Sequence, residues 1–323
     1  MQGISLEKIE AASRVVYEEM QPTPQYCWPL LCKRLGTEVW VKHENHTPIG
    51  AFKIRGGLVY FSHLAQSSEN PKGVISATKG NHGQSITVAA SRYGIPTTIV
   101  VPHGNSLEKN EAMRAQGAKL IEHGDDFQTA REFAINLASE KSLKMIPSFD
   151  PLLVTGVATY SLELLTAVKD LDVAYVPIGL GSGICGMLAV RNALKLKTQI
   201  VGVVSAHARA YLESFSSRRA VELPVSTKIA DGLACRVPEQ AALEQIWNGV
   251  ERIVEVTDNE IADAIQTLYE CTHNVCEGSG AAAYAAAVQE STKIKGLKVA
   301  VIASGGNIDR DVFASVLKRE ASS

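Results

Sequence analysis

No stretch of this 323-residue chain approaches the roughly 20 consecutive apolar residues that a membrane-spanning helix needs. The first residues, Met1 to Ala12, mix Glu7, Lys8 and Glu10 into an amphipathic pattern and lack the apolar centre of a secretory signal. Charge of neither sign dominates. The 32 Lys and Arg against 34 Asp and Glu leave a net charge of −2, which removes the basic footprint of a nucleic-acid binder. No run of Lys or Arg marks a membrane-surface arm. The cysteines at 27, 32, 185, 235, 271 and 276 lack a paired zinc spacing, and in a chain this long they are expected to be reduced thiols of a cytoplasmic protein. Cys271-Thr-His273-Asn-Val-Cys276 carries ligand-type atoms, but it reads as helical, where residues five apart face different sides. Buried small hydrophobes account better for these cysteines. Repeats and low-complexity segments are absent, and the alanine run 281–287 reads as a close-packed helix.

What is present is an alternation. Short apolar runs at Glu38–Lys42, 73–76, 97–101, 118–122 and 144–146 read as strands, and helical periodicity fills the intervals between them. The pattern restarts after Pro147. Strands are expected at 173–178, 199–204, 252–256 and 298–303, with helices at 152–168, 206–215, 258–271, 278–289 and 309–318. Residues 216–235 read as loop. An α/β fold of parallel sheets flanked by helices follows. The block 70–147 has its own βαβ rhythm and is expected to form a small mobile domain, leaving 1–69 plus 148–323 as the large cofactor-binding domain.

Four polar or glycine-rich turns directly follow strands: 43–53, 77–84, 179–186 and 304–307. In open α/β sheets ligands bind outside the carboxyl ends of strands, so these turns are expected to converge on one crevice. In the first, Lys53 falls at a helix start, flanked by Phe52 and Ile54. The positive end of the helix dipole favours the neutral amine, which is the form that condenses with an aldehyde. On that stretch alone a solvated lysine is the simpler account. In the third, Gly179-Leu-Gly-Ser-Gly-Ile-Cys-Gly186 offers backbone N–H groups and a helix N-terminus to an anion. A dinucleotide would need an acidic residue at the end of the next strand, where Val203, Val204, Ser205 and Ala206 stand instead. A nucleoside triphosphate would need Gly-Lys-Ser/Thr, which the loop lacks. A phosphate with a nucleophilic lysine points to pyridoxal phosphate, with Ser304 a candidate partner for the ring nitrogen and Asn81 for the ring hydroxyl.

Ala51-Phe-Lys-Ile-Arg-Gly56, Lys79-Gly-Asn-His-Gly-Gln84, Gly179-Leu-Gly-Ser-Gly183, Ala230-Asp-Gly-Leu233 and Ser304-Gly-Gly-Asn307 occur in an order that resembles the fold-type II pyridoxal-phosphate enzymes. Their architecture is tryptophan synthase β-like, and the serine/threonine dehydratase and serine racemase group is the nearest match. The resemblance covers about residues 20 to 315. It implies that Lys53 carries the cofactor as a Schiff base and then acts as the base at the substrate Cα. Phe52 flanks the ring, Asn81 bonds its hydroxyl and Ser304 faces its nitrogen. Gly179, Leu180, Gly181, Ser182 and Gly183 hold the phosphate. Thr78, Lys79, Gly80, Asn81 and His82 receive the substrate carboxylate, and Gly232 lines the pocket. The implied reaction is β-elimination of the hydroxyl of a small β-hydroxy amino acid such as threonine or serine, followed by hydrolysis of the released aminoacrylate to a keto acid and ammonia, by a cytoplasmic homodimer. A neutral serine at the ring nitrogen, where an aspartate would enforce a proton, suits prompt loss of a β-substituent.

The chain departs from the group's pattern at three places. Racemases carry serine where this chain has Lys79. Lys79 is read first as a solvent-facing or anion-attracting lysine, then as an opposite-face acid/base or as a receptor for a second carboxylate, as on 3-hydroxyaspartate. The divalent-metal positions of some relatives correspond here to Val204 and Ala210, so no metal site is expected. Glu277 matches an acidic position near the cofactor, though a carboxylate at a helix start accounts for it equally well. No regulatory domain is expected after the last motif, which fits a degradative role. A racemase, a 3-hydroxyaspartate or phenylserine dehydratase, a β-replacement enzyme and a non-enzymatic nucleotide-binding module are the alternatives.

Overall fold

The computed structural model describes residues 4–319. The first three residues of the amphipathic N-terminal reading, and the last four of the chain, lie outside the described residues. Helix α1 (Leu6–Tyr17) is capped by the Ser5 side chain, which accepts from Lys8 N, and it buries Ile9, Ala12 and Val16. The short strand β1 (Gln25–Cys27) and helix α2 (Pro29–Leu35) follow, then β2 (Glu38–His43). Helix α3 (Lys53–Gln66) leads to β3 (Val74–Ala77), α4 (Asn81–Ser91), β4 (Thr97–Val101) and α5 (Leu107–Ala115). Then come β5 (Lys119–Glu122), α6 (Phe127–Lys141), β6 (Lys144–Met145) and α7 (Pro151–Ala167). The second half runs β7 (Val173–Pro177), α8 (Ser182–Ala193), β8 (Gln199–Ser205), α9 (Ala210–Ser217), α10 (Gln240–Gly249) and β9 (Arg252–Val256). Helices α11 (Asp258–Thr272) and α12 (Gly278–Gln289), strand β10 (Lys298–Ala303) and helix α13 (Arg310–Leu317) complete it.

The strands form two sheets. The larger has the order β1-β2-β10-β7-β8-β9, parallel except for the edge strand β1, which runs antiparallel to β2. The smaller, β5-β4-β3-β6, is wholly parallel and draws every strand from between Val74 and Met145. The fold is therefore mixed α/β, with parallel sheets flanked by helices. Strands buried on both faces read as continuous apolar runs, and β10 is the clearest case: Val299 to Ala303 are all buried. One face of the large sheet packs against α12, whose alanines 281–287 let the helix lie close to the strands, with Tyr284 filling the wider gap. The other face packs under α7 and α8 through Val154, Val157, Tyr160, Ile184 and Leu188.

The parallel register sets the loops side by side. His43 at the end of β2 pairs with Ala303 at the end of β10, and Tyr175 of β7 pairs with Val301. The turns after β2, β10 and β7 therefore leave the same edge of the sheet, next to one another.

Two sequence expectations need correction. The Cys271–Cys276 segment is not helical throughout. Helix α11 ends at Thr272, and His273 takes the left-handed cap position at φ 54°. Both cysteines are buried even so, and among the described residues no cluster of three or more metal-ligating side chains forms. The helix expected from Ala206 begins instead at Ala210. The elements β1, α2 and α10 were not expected at all.

Candidate active site

The Lys53 turn is stitched to the turn after β10. Phe52 N donates to Ser304 O at 3.1 Å and Gly306 N to Gly50 O at 2.8 Å, and Ala51 bridges Gly305. The Asn307 side chain donates to Ile49 O and to Asn81 Oδ1, both at 2.8 Å. Ser85 Oγ of α4 donates to Lys53 O at 2.6 Å. These bonds bring three of the four turns together, and Lys53 reaches the fourth by donating from Nζ to Ser182 Oγ at 3.2 Å. Burial lowers the Lys53 amine from its ordinary 10.5 to about 8. The helix dipole was the expected cause; removal from water is the one the structure supplies.

Behind Lys53 lies a buried ion cluster. The fully buried Arg55 guanidinium donates to Glu44 Oε2 at 2.7 Å and Oε1 at 3.0 Å, to Glu163 Oε1 at 2.6 Å and Oε2 at 3.0 Å, and to the Thr159 and Thr23 hydroxyls. Lys42 Nζ, also buried, donates to Glu163 Oε2 at 2.5 Å and to Thr23 O at 2.6 Å. Two cations meet two carboxylates with their donors and acceptors paired, which makes burial tolerable. The cluster locks the end of β2, the first turn of α3 and the middle of α7 into one body, and Lys53 projects from it.

The glycine turn after β7 has the form of an anion cradle. Gly181 takes φ +97°, a conformation that side-chain-bearing residues rarely adopt, and no side chain caps α8. Among the described residues, the main-chain N–H groups of Gly179, Leu180 and Gly181 donate to nothing, and the first turn of α8 adds its own free donors. Tyr211 Oη donates to Leu180 O at 2.9 Å and Tyr160 Oη to Gly183 O at 3.2 Å, fixing the turn from two sides. Neither tyrosine was named from sequence, because each supports the turn through its carbonyls from far along the chain. Phe52 packs edge-on to Tyr160, and its ring centroid lies 5.0 Å from Lys53 Nζ.

The remaining predicted residues are placed as follows. Thr78 and Gly80 are buried, and Thr78 Oγ1 accepts from Gly80 N at 3.1 Å. Lys79 is partly exposed between β3 and α4. Asn81 opens α4 and donates to Glu277 Oε1 at 2.6 Å. The His82 ring is buried, and its Nε2 bonds Pro147 O at 3.1 Å; burial, with Lys53 second, pushes its pKa down to about 3, so the ring is neutral and donates that bond. Gly232 is exposed, and its carbonyl packs against Gly179 so closely that a Cβ there would meet it at 2.3 Å. Ser304 is buried and donates to Ser279 O at 3.2 Å. Val204 and Ala210 are both buried and carry no oxygen ligand.

A lysine whose pKa burial lowers to about 8, beside a cradle of N–H donors and with an aromatic face at hand, fits a phosphate-bearing aldehyde. The residues present therefore suit pyridoxal phosphate. Lys53 would hold its aldehyde carbon, the 179–183 turn its phosphate, and Asn81 and Ser304 the polar atoms of its ring.

The chain matches, over residues 16–305, the family model described as pyridoxal-phosphate dependent enzyme. It is 33% identical over 317 residues to the L-threonine ammonia-lyase of Thermotoga maritima, covering 98% of this chain and 79% of that protein. It is 30% identical over 314 residues to the biosynthetic L-threonine dehydratase of Haemophilus influenzae, covering 96% of this chain but only 61% of that protein's length. Among solved structures, maize serine racemase superposes with a TM-score of 0.90 at 26% identity, over 96% of both chains.

Proposed function

This chain belongs to the pyridoxal-phosphate dependent enzymes, and from that premise we propose that it eliminates the β-hydroxyl of a small β-hydroxy amino acid, threonine or serine, as water, and that hydrolysis of the released enamine takes up one water again to give a keto acid and ammonia. The observation that carries the reading is Lys53 Nζ, held 3.2 Å from Ser182 Oγ at the lip of the cradle and lowered to about 8 by burial. The ammonia-lyase and dehydratase activities named for its relatives support the same reaction.

Pyridoxal phosphate, when bound, supplies an aldehyde that takes up the substrate amine and a ring that acidifies the bond from Cα to hydrogen. The protein does the rest. At pH 7 a group of pKa about 8 is neutral in about a tenth of the molecules, enough for Lys53 to take the Cα proton at Nζ. The turn 78–82 receives the substrate carboxylate on the free N–H groups at the start of α4, which fixes Cα in front of Lys53. Ser304 presents a neutral hydroxyl to the ring nitrogen, so no ion pair holds a proton there. Phe52 and the buried Tyr160 keep water from the face beside Lys53.

A second reading has one observation behind it. Among the described residues Lys79 meets no carboxylate, although it stands in the turn assigned to the substrate. An uncompensated cation there suits a substrate with a second carboxylate, such as 3-hydroxyaspartate, or an acid/base on the opposite face that would open racemisation. The proposal extends to residues 70–147 as a small mobile domain and to a cytoplasmic homodimer. No helix of the described residues is long and apolar enough to cross a membrane.

The test is release of keto acid and ammonia over a panel of serine, threonine, phenylserine and 3-hydroxyaspartate, with circular dichroism to follow any change of configuration. Keto acid and ammonia in equal amounts from serine or threonine are expected. Turnover confined to 3-hydroxyaspartate selects the second reading, and no keto acid from any substrate sinks the dehydratase reading.

A further inference from the structure

One buried cation in the cleft has no part in the chemistry above. Lys109 lies on α5, in the half of the molecule built on the small sheet, and its side chain is 7% exposed. Its stem crosses Gly80, where a Cβ would stand 2.5 Å from Lys109 Cδ and where φ is +156°. Only glycine admits the stem at that point. The ammonium then leaves its own half of the molecule. It donates to Asp231 Oδ2 at 2.7 Å and lies 3.3 Å from Glu277 Oε2, an oxygen with no hydrogen-bond partner of its own. Asp231 belongs to the short helical turn Asp231–Leu233, and Glu277 is the residue before α12; both flank the large sheet.

Glu277 passes the contact on. Its Oε1 accepts from Asn81 Nδ2 at 2.6 Å and from Ser279 Oγ at 3.2 Å, while Asn81 Oδ1 accepts from Asn307. A continuous polar chain therefore runs Asp231, Lys109, Glu277, Asn81, Asn307. Burial disfavours the Lys109 ammonium, but Glu277 and Asp231 outweigh it and hold its pKa above the ordinary lysine value. The same helix makes two more ties across the cleft: Ser106 Oγ donates to Asp309 Oδ1, and Glu108 Oε1 accepts from Arg310 N at 2.9 Å.

We propose that Lys109 is a positioning residue that clamps the Gly80–Asn81 turn across the cleft onto Asp231 and Glu277, so that Asn81 and the N–H groups of α4 face Lys53 only while the clamp is made. It touches neither substrate nor cofactor. The role rests on the assignment of turn 78–82 to the substrate carboxylate. Removing the ammonium frees the turn and leaves Glu277 buried with an unpaired charge, so carboxylate capture weakens before the lysine chemistry does.

Lys109→Met, Lys109→Arg and Asp231→Asn, each loaded with pyridoxal phosphate, test this. In Lys109→Met the KM for the amino acid should rise about tenfold or more while borohydride still fixes one pyridoxyl group per chain. Lys109→Arg should restore most of the loss, because a guanidinium also spans two carboxylates. Asp231→Asn, altered at a partly exposed partner, should move KM in the same direction and covers the case in which Lys109→Met does not fold. A second arm needs no substrate: Glu-C protease should cut after Glu108 and Glu111 faster in Lys109→Met and Asp231→Asn than in the parent. Unchanged KM and unchanged cleavage in both variants overturn the clamp. A parallel fall of kcat, cofactor content and melting temperature in both, with no rescue by arginine, makes Lys109 merely structural and overturns it too. If the parent releases no keto acid at all, the functional reading fails and the cleavage arm alone decides the clamp.

Discussion

Replacing Arg55 with methionine isolates the buried cluster behind Lys53. The five N–H groups of Arg55 are shared among six oxygens of Glu44, Glu163, Thr159 and Thr23, and its side chain is fully buried. With Lys42 and Arg55 against Glu44 and Glu163 the cluster is neutral; without Arg55 it carries one uncompensated negative charge. Breaking a buried pair in this way costs about 3–5 kcal/mol, far more than an exposed pair. Glu44 loses most, because its other bond is a single one from Thr23 Oγ1 at 2.5 Å. Glu44→Gln in the Arg55→Met background restores neutrality and should be nearly without further cost, giving a coupling of about 1–3 kcal/mol in a double-mutant cycle. Urea unfolding of the cofactor-free protein measures all four corners of the cycle. The pH dependence adds a second readout. Burial raises the Glu163 carboxyl, but Arg55 and Lys42 outweigh it and hold its pKa below the usual carboxylate value. Its stabilisation is therefore complete above about pH 4.5 and is lost as pH falls through the lowered folded value. Arg55→Met should flatten that acid limb. A loss under about 1 kcal/mol, or strict additivity with Glu44→Gln, would refute the reasoning.

Three shorter predictions bear on the site itself. The Lys53 amine of the cofactor-free protein has a pKa of about 8 and reacts only when neutral. The rate of pyridoxal-phosphate uptake, followed by absorbance, should rise about tenfold per pH unit up to about 8 and then level off; a plateau reached only near 10.5 contradicts the burial argument. Gly181→Ala forces a side chain into φ +97° and sets its Cβ 2.7 Å from Ala242 Cβ. Equilibrium dialysis should show cofactor affinity lowered by about tenfold or more, with the free N–H groups displaced. Lys79→Ala should leave turnover of serine and threonine within about twofold if Lys79 is solvent-facing, and should abolish any preference for 3-hydroxyaspartate if it is not. Steady-state kinetics on both substrate classes decide between the two.

The fold was legible where burial is two-sided and the period is clean. Val299–Ala303 could only be an interior strand, and the alanines of α12 could only be a closely packed helix. The β1 strand was not legible, because three residues at an edge carry no period and owe their shape to pairing with Trp40, Val41 and Lys42. Helix α2 begins at Pro29 and spans seven residues, too short for a periodic signal. Helix α10 was readable in principle: Ala242, Leu243 and Ile246 form a helical stripe beyond a loop that drew attention away from it. His273 ends α11 in a left-handed cap where glycine would have announced the stop. At the site, each predicted residue lay in a turn, and turns declare themselves locally through glycine, asparagine and lysine. The supports did not. Lys109 meets Asp231 across 122 positions, and Tyr211 meets Leu180 across 31, contacts that only the assembled sheets create.

The account stands or falls on Lys53 as the residue that bears the cofactor. Reduction of the pyridoxal-phosphate-loaded protein with borohydride, followed by peptide mass mapping, reads this directly. One pyridoxyl phosphate group on the Lys53 Nζ, absent from Lys53→Ala, is the predicted result. A label on Lys79, on Lys109 or on no lysine would contradict it.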